Sequence, residues 1–164
     1  MKALRVGMEN RRYVPAFESG PGDAYRLDRK LAEPVSCPQC HATYRKGHWH
    51  WGKAAPGTAL VTCPACERIA DDYPGGWVTL KGDYYANHRE EILARVRECE
   101  AHEKAEHPLQ RIIALHGGMR SATVTTTDPH LAHIIGEAIG SAFKGKLALD
   151  YTRGENRLRA TWVR

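Results

Sequence analysis

The chain has 164 residues, 42% of them apolar and 26% charged, a composition that excludes wholesale disorder and suits one ordinary domain or two small ones. No run approaches the roughly 20 apolar residues needed to cross a bilayer as a helix. A formal charge of +5 and a pI near 9.0 point toward acidic partners.

Residues 1–34 scatter Arg11, Arg12, Arg26, Arg29 and Lys30 around Gly20-Pro21-Gly22 without a sustained apolar period, and read as a flexible basic arm. Met1 to Asn10 lacks the apolar core and small-residue cleavage site of a secretory signal. The expected location is therefore cytoplasmic, where thiols remain reduced.

Residues 35–82 contain the most informative pattern. Cys37-Pro38-Gln39-Cys40 and Cys63-Pro64-Ala65-Cys66 are two Cys-Pro-x-Cys hooks with 22 residues between them. Each hook brackets a tight turn that can aim two sulfurs at one ion, and the spacing is a little longer than the roughly 15–20 residues usual between such pairs. Four thiolates fill a tetrahedral shell and leave no position for a water, so the pattern predicts one structural Zn2+ held by Cys37, Cys40, Cys63 and Cys66. Two disulfides suit a reducing compartment poorly, and an iron–sulfur cluster fits two equal pairs flanked by strand-like sequence less well than zinc does. Tyr44, Trp49, Trp51, Leu60, Val61, Trp77 and Val78 are expected in short strands around the metal, with turns at Pro56-Gly57 and Pro74-Gly75-Gly76.

Residues 83–108 switch to a helical period. Tyr85, Ile92, Val96 and Cys99 recur at helical spacing with Leu93 widening the stripe, and Pro108 ends the run. Cys99 falls on the apolar face and reads as a buried structural thiol. This segment is expected to be a single linking helix.

Residues 109–164 predict a β-α-β-β domain. Ser121 to Thr126 is strand-like, and Asp128-Pro129 opens a helix with an acidic N-cap and a proline at the first position. Leu131, Ile134, Ile135, Ala138, Ile139, Ala142 and Phe143 form its apolar stripe. Leu147, Leu149 and Tyr151, then Leu158, Ala160 and Trp162, alternate as two strands around Arg153-Gly154-Glu155-Asn156. The fold class expected is α+β, a small β zinc ribbon followed by a linking helix and the β-α-β-β domain.

Lys and Arg exceed acids by seven to five in residues 1–36, five to three in 37–82 and eight to four in 109–164, while 83–108 has four against seven. Two basic modules flank an acidic spacer, a distribution suited to nucleic acid. Between the hooks, Arg45, Lys46, His48, Trp49, Trp51 and Lys53 interleave cations with aromatics. In a strand His48 and His50 share one face and Trp49 and Trp51 the other, so these rings are either the module's core or a platform for unpaired bases, with Arg68 adding a phosphate contact. Arg153, Arg157 and Arg159 supply a second basic surface. His130, His133 and Glu137 fall on the polar side of the second helix and read as surface, and no constellation of residues assembles an active site or a small-molecule site.

The Cys-Pro-x-Cys pairs, Gly47-His48-Trp49-His50-Trp51, Arg68-Ile69-Ala70-Asp71, His107 to Ile112 and Thr125 to Leu131 resemble a family of bacterial zinc-ribbon proteins, over Glu33 to nearly the C-terminus. More distantly, the chain is similar to the zinc-containing N-terminal region of the adaptor family that escorts the large ribosomal subunit during export, which has more cysteines than the single set of four here. That resemblance implies a ribosome or RNA connection and no catalysis. KH-type RNA-binding domains offer a weaker comparison, since their Gly-x-x-Gly loop has no counterpart. The expectation is a non-enzymatic, zinc-binding, RNA-binding or ribosome-associated accessory protein. A protein-interaction adaptor in stress response or ribosome maturation is the alternative, and a hydrolase or nuclease between the modules a third.

Overall fold

The computed structural model describes residues 23–25, 31–152 and 154–164. Most of the expected basic arm lies outside the described residues, as does Arg153. The fold is α+β, with a four-stranded sheet around a ribbon-like knuckle of four cysteines and a five-stranded sheet covered by helices.

The ribbon sheet has the order β3-β2-β1-β4, from β1 (Val35–Ser36), β2 (Thr43–Arg45), β3 (His48–His50) and β4 (Ala59–Leu60). Lys46 and Gly47 form the two-residue turn between β2 and β3, both at positive φ (52° and 81°), the geometry whose twist matches a tight hairpin. The Glu33 carboxylate accepts the N–H groups of Lys46 (2.6 Å) and Gly47 (3.0 Å). The second hook does not bracket an isolated turn, because Cys63 is the N-cap of α1 (Pro64–Ala70), where Pro64 occupies the first turn at no hydrogen-bonding cost. Val35, Ala42, Trp49 and Ala65 are the buried residues accompanying the cysteines, a core too small to be self-sufficient.

The larger sheet has the order β6-β7-β5-β9-β8. Its strands are β5 (Gly76–Lys81), β6 (Ile112–Gly117), β7 (Ser121–Thr126), β8 (Lys146–Thr152) and β9 (Arg157–Val163). β5 pairs parallel to β9 and antiparallel to β7, while β6 and β8 close the two ends as antiparallel hairpin partners. Trp77 and Val78, expected beside the metal, therefore belong to the centre of this sheet. Alternation explains the difference: Val78 and Leu80 are buried between strands whose own inward residues are Val124, Leu158, Ala160 and Trp162, an apolar face far larger than the ribbon can offer.

The expected linking helix is two helices, α2 (Asp83–Asn87) and α3 (Arg89–Glu106), broken at His88. It does not act as a spacer. Tyr85, Ile92, Leu93, Val96 and Cys99 are buried in the main core together with Leu131, Ile135, Ile139 and Phe143 of α4 (Pro129–Phe143). The predicted Asp128 cap is present, accepting the Leu131 N–H at 2.8 Å. Both long helices lie on one side of the sheet, and among the described residues no helix or strand covers its opposite face.

Close approach of α4 to β5 is written in Gly76, where a Cβ would stand 2.5 Å from Ala132 Cβ and from Thr126 Oγ1. Gly140, on the same helix, would place a Cβ no closer than 3.9 Å to Leu147. Gly76→Ala is expected to destabilise the chain by about 1–3 kcal/mol through overpacking, whereas Gly140→Ala should stabilise it by about 0.5–1 kcal/mol through helix propensity. Urea denaturation midpoints of the two variants measure both.

Candidate metal centre

The ligand atoms of Cys37, Cys40, Cys63 and Cys66 all lie within 4.8 Å of one another, and among the described residues this is the group that could hold a metal ion. Cys40 Sγ and Cys63 Sγ are 3.7 Å apart. A tetrahedral ion with metal–sulfur bonds of about 2.3 Å requires sulfurs roughly 3.8 Å apart, so the cluster fits one four-coordinate metal ion and leaves no open ligand position.

Local structure brings the sulfurs together from two directions. Cys37 follows β1, and the bonds from Cys37 N to Ala42 O (2.8 Å) and from His41 N to Cys37 O (2.9 Å) fold the first hook back on itself. His41 sits at positive φ (64°) to make that turn. The second hook is fixed by α1 and by the Cys63 N–H, which donates to Cys37 Sγ at 3.4 Å. Burial pushes the Cys37 thiol up, but backbone N–H donors from Cys63, Cys40 and Gln39 outweigh it and bring it down to about 7. Cys63 and Cys66 are pushed up, first by burial. Cys37 is thus held as a thiolate, the form that binds metal, more readily than Cys63 or Cys66.

One residue of the larger domain completes the site. Arg111, only 7% exposed, precedes β6 and donates to three of the four sulfurs: Nη1 to Cys66 at 3.3 Å, and Nη2 to Cys40 at 3.3 Å and to Cys63 at 3.2 Å. Its Nε donates to Pro108 O at 2.7 Å and its backbone N–H to Thr127 Oγ1 at 3.0 Å. Burial would lower the Arg111 pKa, but the bond to Cys66 and the charges of Cys40, Cys63 and Cys66 raise it on balance. A divalent ion in four thiolates carries two negative charges in formal count, so the buried guanidinium and the partly buried cluster compensate each other. Sequence reasoning did not single out Arg111. Its partners lie 45 to 71 residues away in the chain, and no local spacing reports them.

Comparison with protein-family models, with curated proteins and with solved structures finds no match.

The proposed nucleic-acid residues separate into groups. Arg45, Lys46, His48 and Lys53 are exposed on the ribbon, but Trp49 is buried with its ring 5.5 Å from that of Tyr44. Trp49 is therefore core, because β3 must turn one side chain inward and His48 and His50 point outward. Trp51 lies beyond the strand, 39% exposed, and donates its indole N–H to Lys104 O at 2.6 Å, tying the ribbon to the end of α3. Arg68 is paired with Asp23 (2.5 Å) and lies over Tyr25 and Tyr73, so the described part of the expected arm is packed against α1. Arg157 and Arg159 stand on the uncovered face of the larger sheet. His133, read as surface, bonds through Nδ1 to Tyr151 OH at 2.8 Å. Among the described residues no helix is long and apolar enough to cross a membrane.

Replacing Arg111 by Met, similar in length and without charge or donors, should weaken metal binding about 10–100-fold. Arg111→Lys should fall between the two, since an ammonium keeps the charge and loses the fork. Competition between the protein and a chelator, with Co2+ thiolate absorbance as the readout, gives the ratio.

Proposed function

We propose that the ion is a single structural Zn2+ and that the protein is a non-enzymatic, RNA-binding or ribosome-associated accessory protein. Zinc suits four thiolates in tetrahedral array without redox chemistry, and a filled ligand shell offers nothing to a substrate. Supplying on the order of 10–16 kcal/mol in small zinc domains, the ion stabilises a ribbon whose apolar core is slight.

The observation that carries the RNA reading is the state of the surface cations. Arg45, Lys46 and Lys53 on the ribbon, and Lys81, Lys146 and Arg159 on the sheet, are exposed and form no ion pair among the described residues. Acids are concentrated instead on α3, at Glu90, Glu91, Glu98, Glu100, Glu103 and Glu106. Unpaired cations on both modules are available to phosphates, whose counterions are released on binding. The resemblance to the ribosomal export adaptor family supports the same reading. The adaptor alternative rests on Leu60, 67% exposed on the edge strand β4, where another protein can add a strand.

Purified protein should contain one zinc per chain by elemental analysis. RNA affinity measured by fluorescence anisotropy should fall with salt, with a log–log slope approaching about −4 if all six cations meet single-stranded phosphate. A salt-independent or undetectable affinity, combined with migration in sucrose gradients away from ribosomal subunits, returns the adaptor reading in its place.

A further inference from the structure

We propose that the uncovered face of the five-stranded sheet, centred on Trp77 and flanked by Arg157 and Arg159, is where unpaired RNA bases stack; this rests on the RNA-binding reading above and names its surface. The two-residue period of the strands turns Trp77, Thr79 and Lys81 of β5 away from the helices, beside Arg157, Arg159 and Thr161 of β9 and Thr123 and Thr125 of β7. Trp77 and Arg159 are register partners on adjacent strands. The Arg159 guanidinium lies 4.3 Å from the Trp77 ring centroid and that of Arg157 6.0 Å from it.

The arrangement continues beyond the sheet. Arg157 also lies 4.8 Å from the ring of Tyr73 and donates to its hydroxyl, and Tyr73 in turn meets Arg68 of α1. Cations and aromatic rings thus alternate from Arg159 through Trp77, Arg157 and Tyr73 to Arg68. Around them the face is built from threonines, with Thr79 Oγ1 3.4 Å from Thr123 Oγ1, which are short and leave the indole and the guanidiniums as its tallest groups.

Each part has a chemical use toward a polynucleotide. An indole and a guanidinium plane both stack on bases, and a base must be unpaired to present its face to them. A guanidinium resting on a ring still has N–H edges directed outward for phosphate oxygens. Arg159, Arg157, Lys81 and Lys146 bring positive charge to the same face against Asp150 on β8 and Glu155, which pairs with Arg157 at 3.4 Å, so its net charge complements a polyanion. An apolar protein partner would be met chiefly by threonine and arginine, with Val163 and Ala148 as the exposed apolar groups toward β8.

The test uses the full zinc-loaded chain, a labelled oligouridine and an RNA duplex of equal length. Oligouridine is expected to bind more tightly than the duplex. Trp77→Ala should weaken oligouridine binding about tenfold, Arg159→Gln should weaken it too, and Trp77→Phe should retain most of the affinity because a ring remains. Should Trp77→Ala fail to fold by circular dichroism, Trp77→Thr, which removes the ring and keeps a strand-forming side chain, takes its place beside Arg159→Gln. Unchanged oligouridine affinity in the ring-less Trp77 variant and in Arg159→Gln, with loss on changing Arg45, Lys46 and Lys53 to Gln, overturns the sheet face and leaves the RNA reading standing. Equal affinity for duplex overturns base stacking. No binding of either RNA by the unaltered chain overturns the RNA reading and this surface with it.

Discussion

Arg111 holds a full positive charge almost out of reach of water, and that is tolerable only because three sulfurs receive its N–H groups. With thiols protonated, the same guanidinium is a buried cation with weak acceptors, a costly state. With an ion bound and the thiols ionised, it faces a cluster of opposite charge. The free energy of metal binding therefore favours both the closed ribbon and its seating on the larger domain. Thr127 reinforces the link from the other side, accepting from Arg111 N and donating to Leu109 O at 2.6 Å, so the guanidinium is aimed by backbone belonging to the sheet and not to the ribbon.

That seating determines what the exposed surfaces can share. Arg68 is carried on α1, the helix that begins at Cys63, while Arg157 begins β9 of the other sheet. Both meet Tyr73, in the short connection between the two modules. A shift of the ribbon would separate these cations, and the alternation of rings and guanidiniums would end at the sheet. Trp51, bonded to the end of α3, gives the ribbon a further point of attachment. The two modules act as one surface because their contacts are specific and polar, even though their apolar cores form separate clusters.

Local chemistry made part of this legible in the sequence. The cysteine spacing gave the cluster, Asp128-Pro129 gave the start of α4, and alternation at Leu147, Leu149, Leu158, Ala160 and Trp162 gave the two final strands. What was hidden is non-local. β5 reads as a short aromatic-containing strand like those of the ribbon, and only its pairing with β7 and β9, some 45 and 82 residues further along, moves Trp77 and Val78 into the larger sheet. Ile112 to Gly117 has neither strict alternation nor a helical period, because it is an edge strand whose register with β7 shifts between Ile112 and Ala114. Trp49 and Trp77 were equally plausible as core from their neighbours in sequence. The difference between them is which face of which sheet each one occupies.

The same comparison bears on how the protein divides its work. In the ribbon, the tryptophan of the strand points inward and is spent on a small core that also needs a metal. In the larger domain, the inward positions of β5 are filled by Val78 and Leu80, and Trp162 supplies the buried indole. Trp77 is thus outside the main apolar core, and half-buried on the other face it packs against the guanidiniums of Arg157 and Arg159. Of its guanidinium neighbours, Arg157 pairs with Glu155 at 3.4 Å, whereas Arg159 has no ion-pair partner among the described residues and lies over the ring instead. Side chains that the main core does not enclose present their outer edges to a ligand, and the seating of the ribbon on the larger domain keeps Tyr73 and Arg68 in line with them.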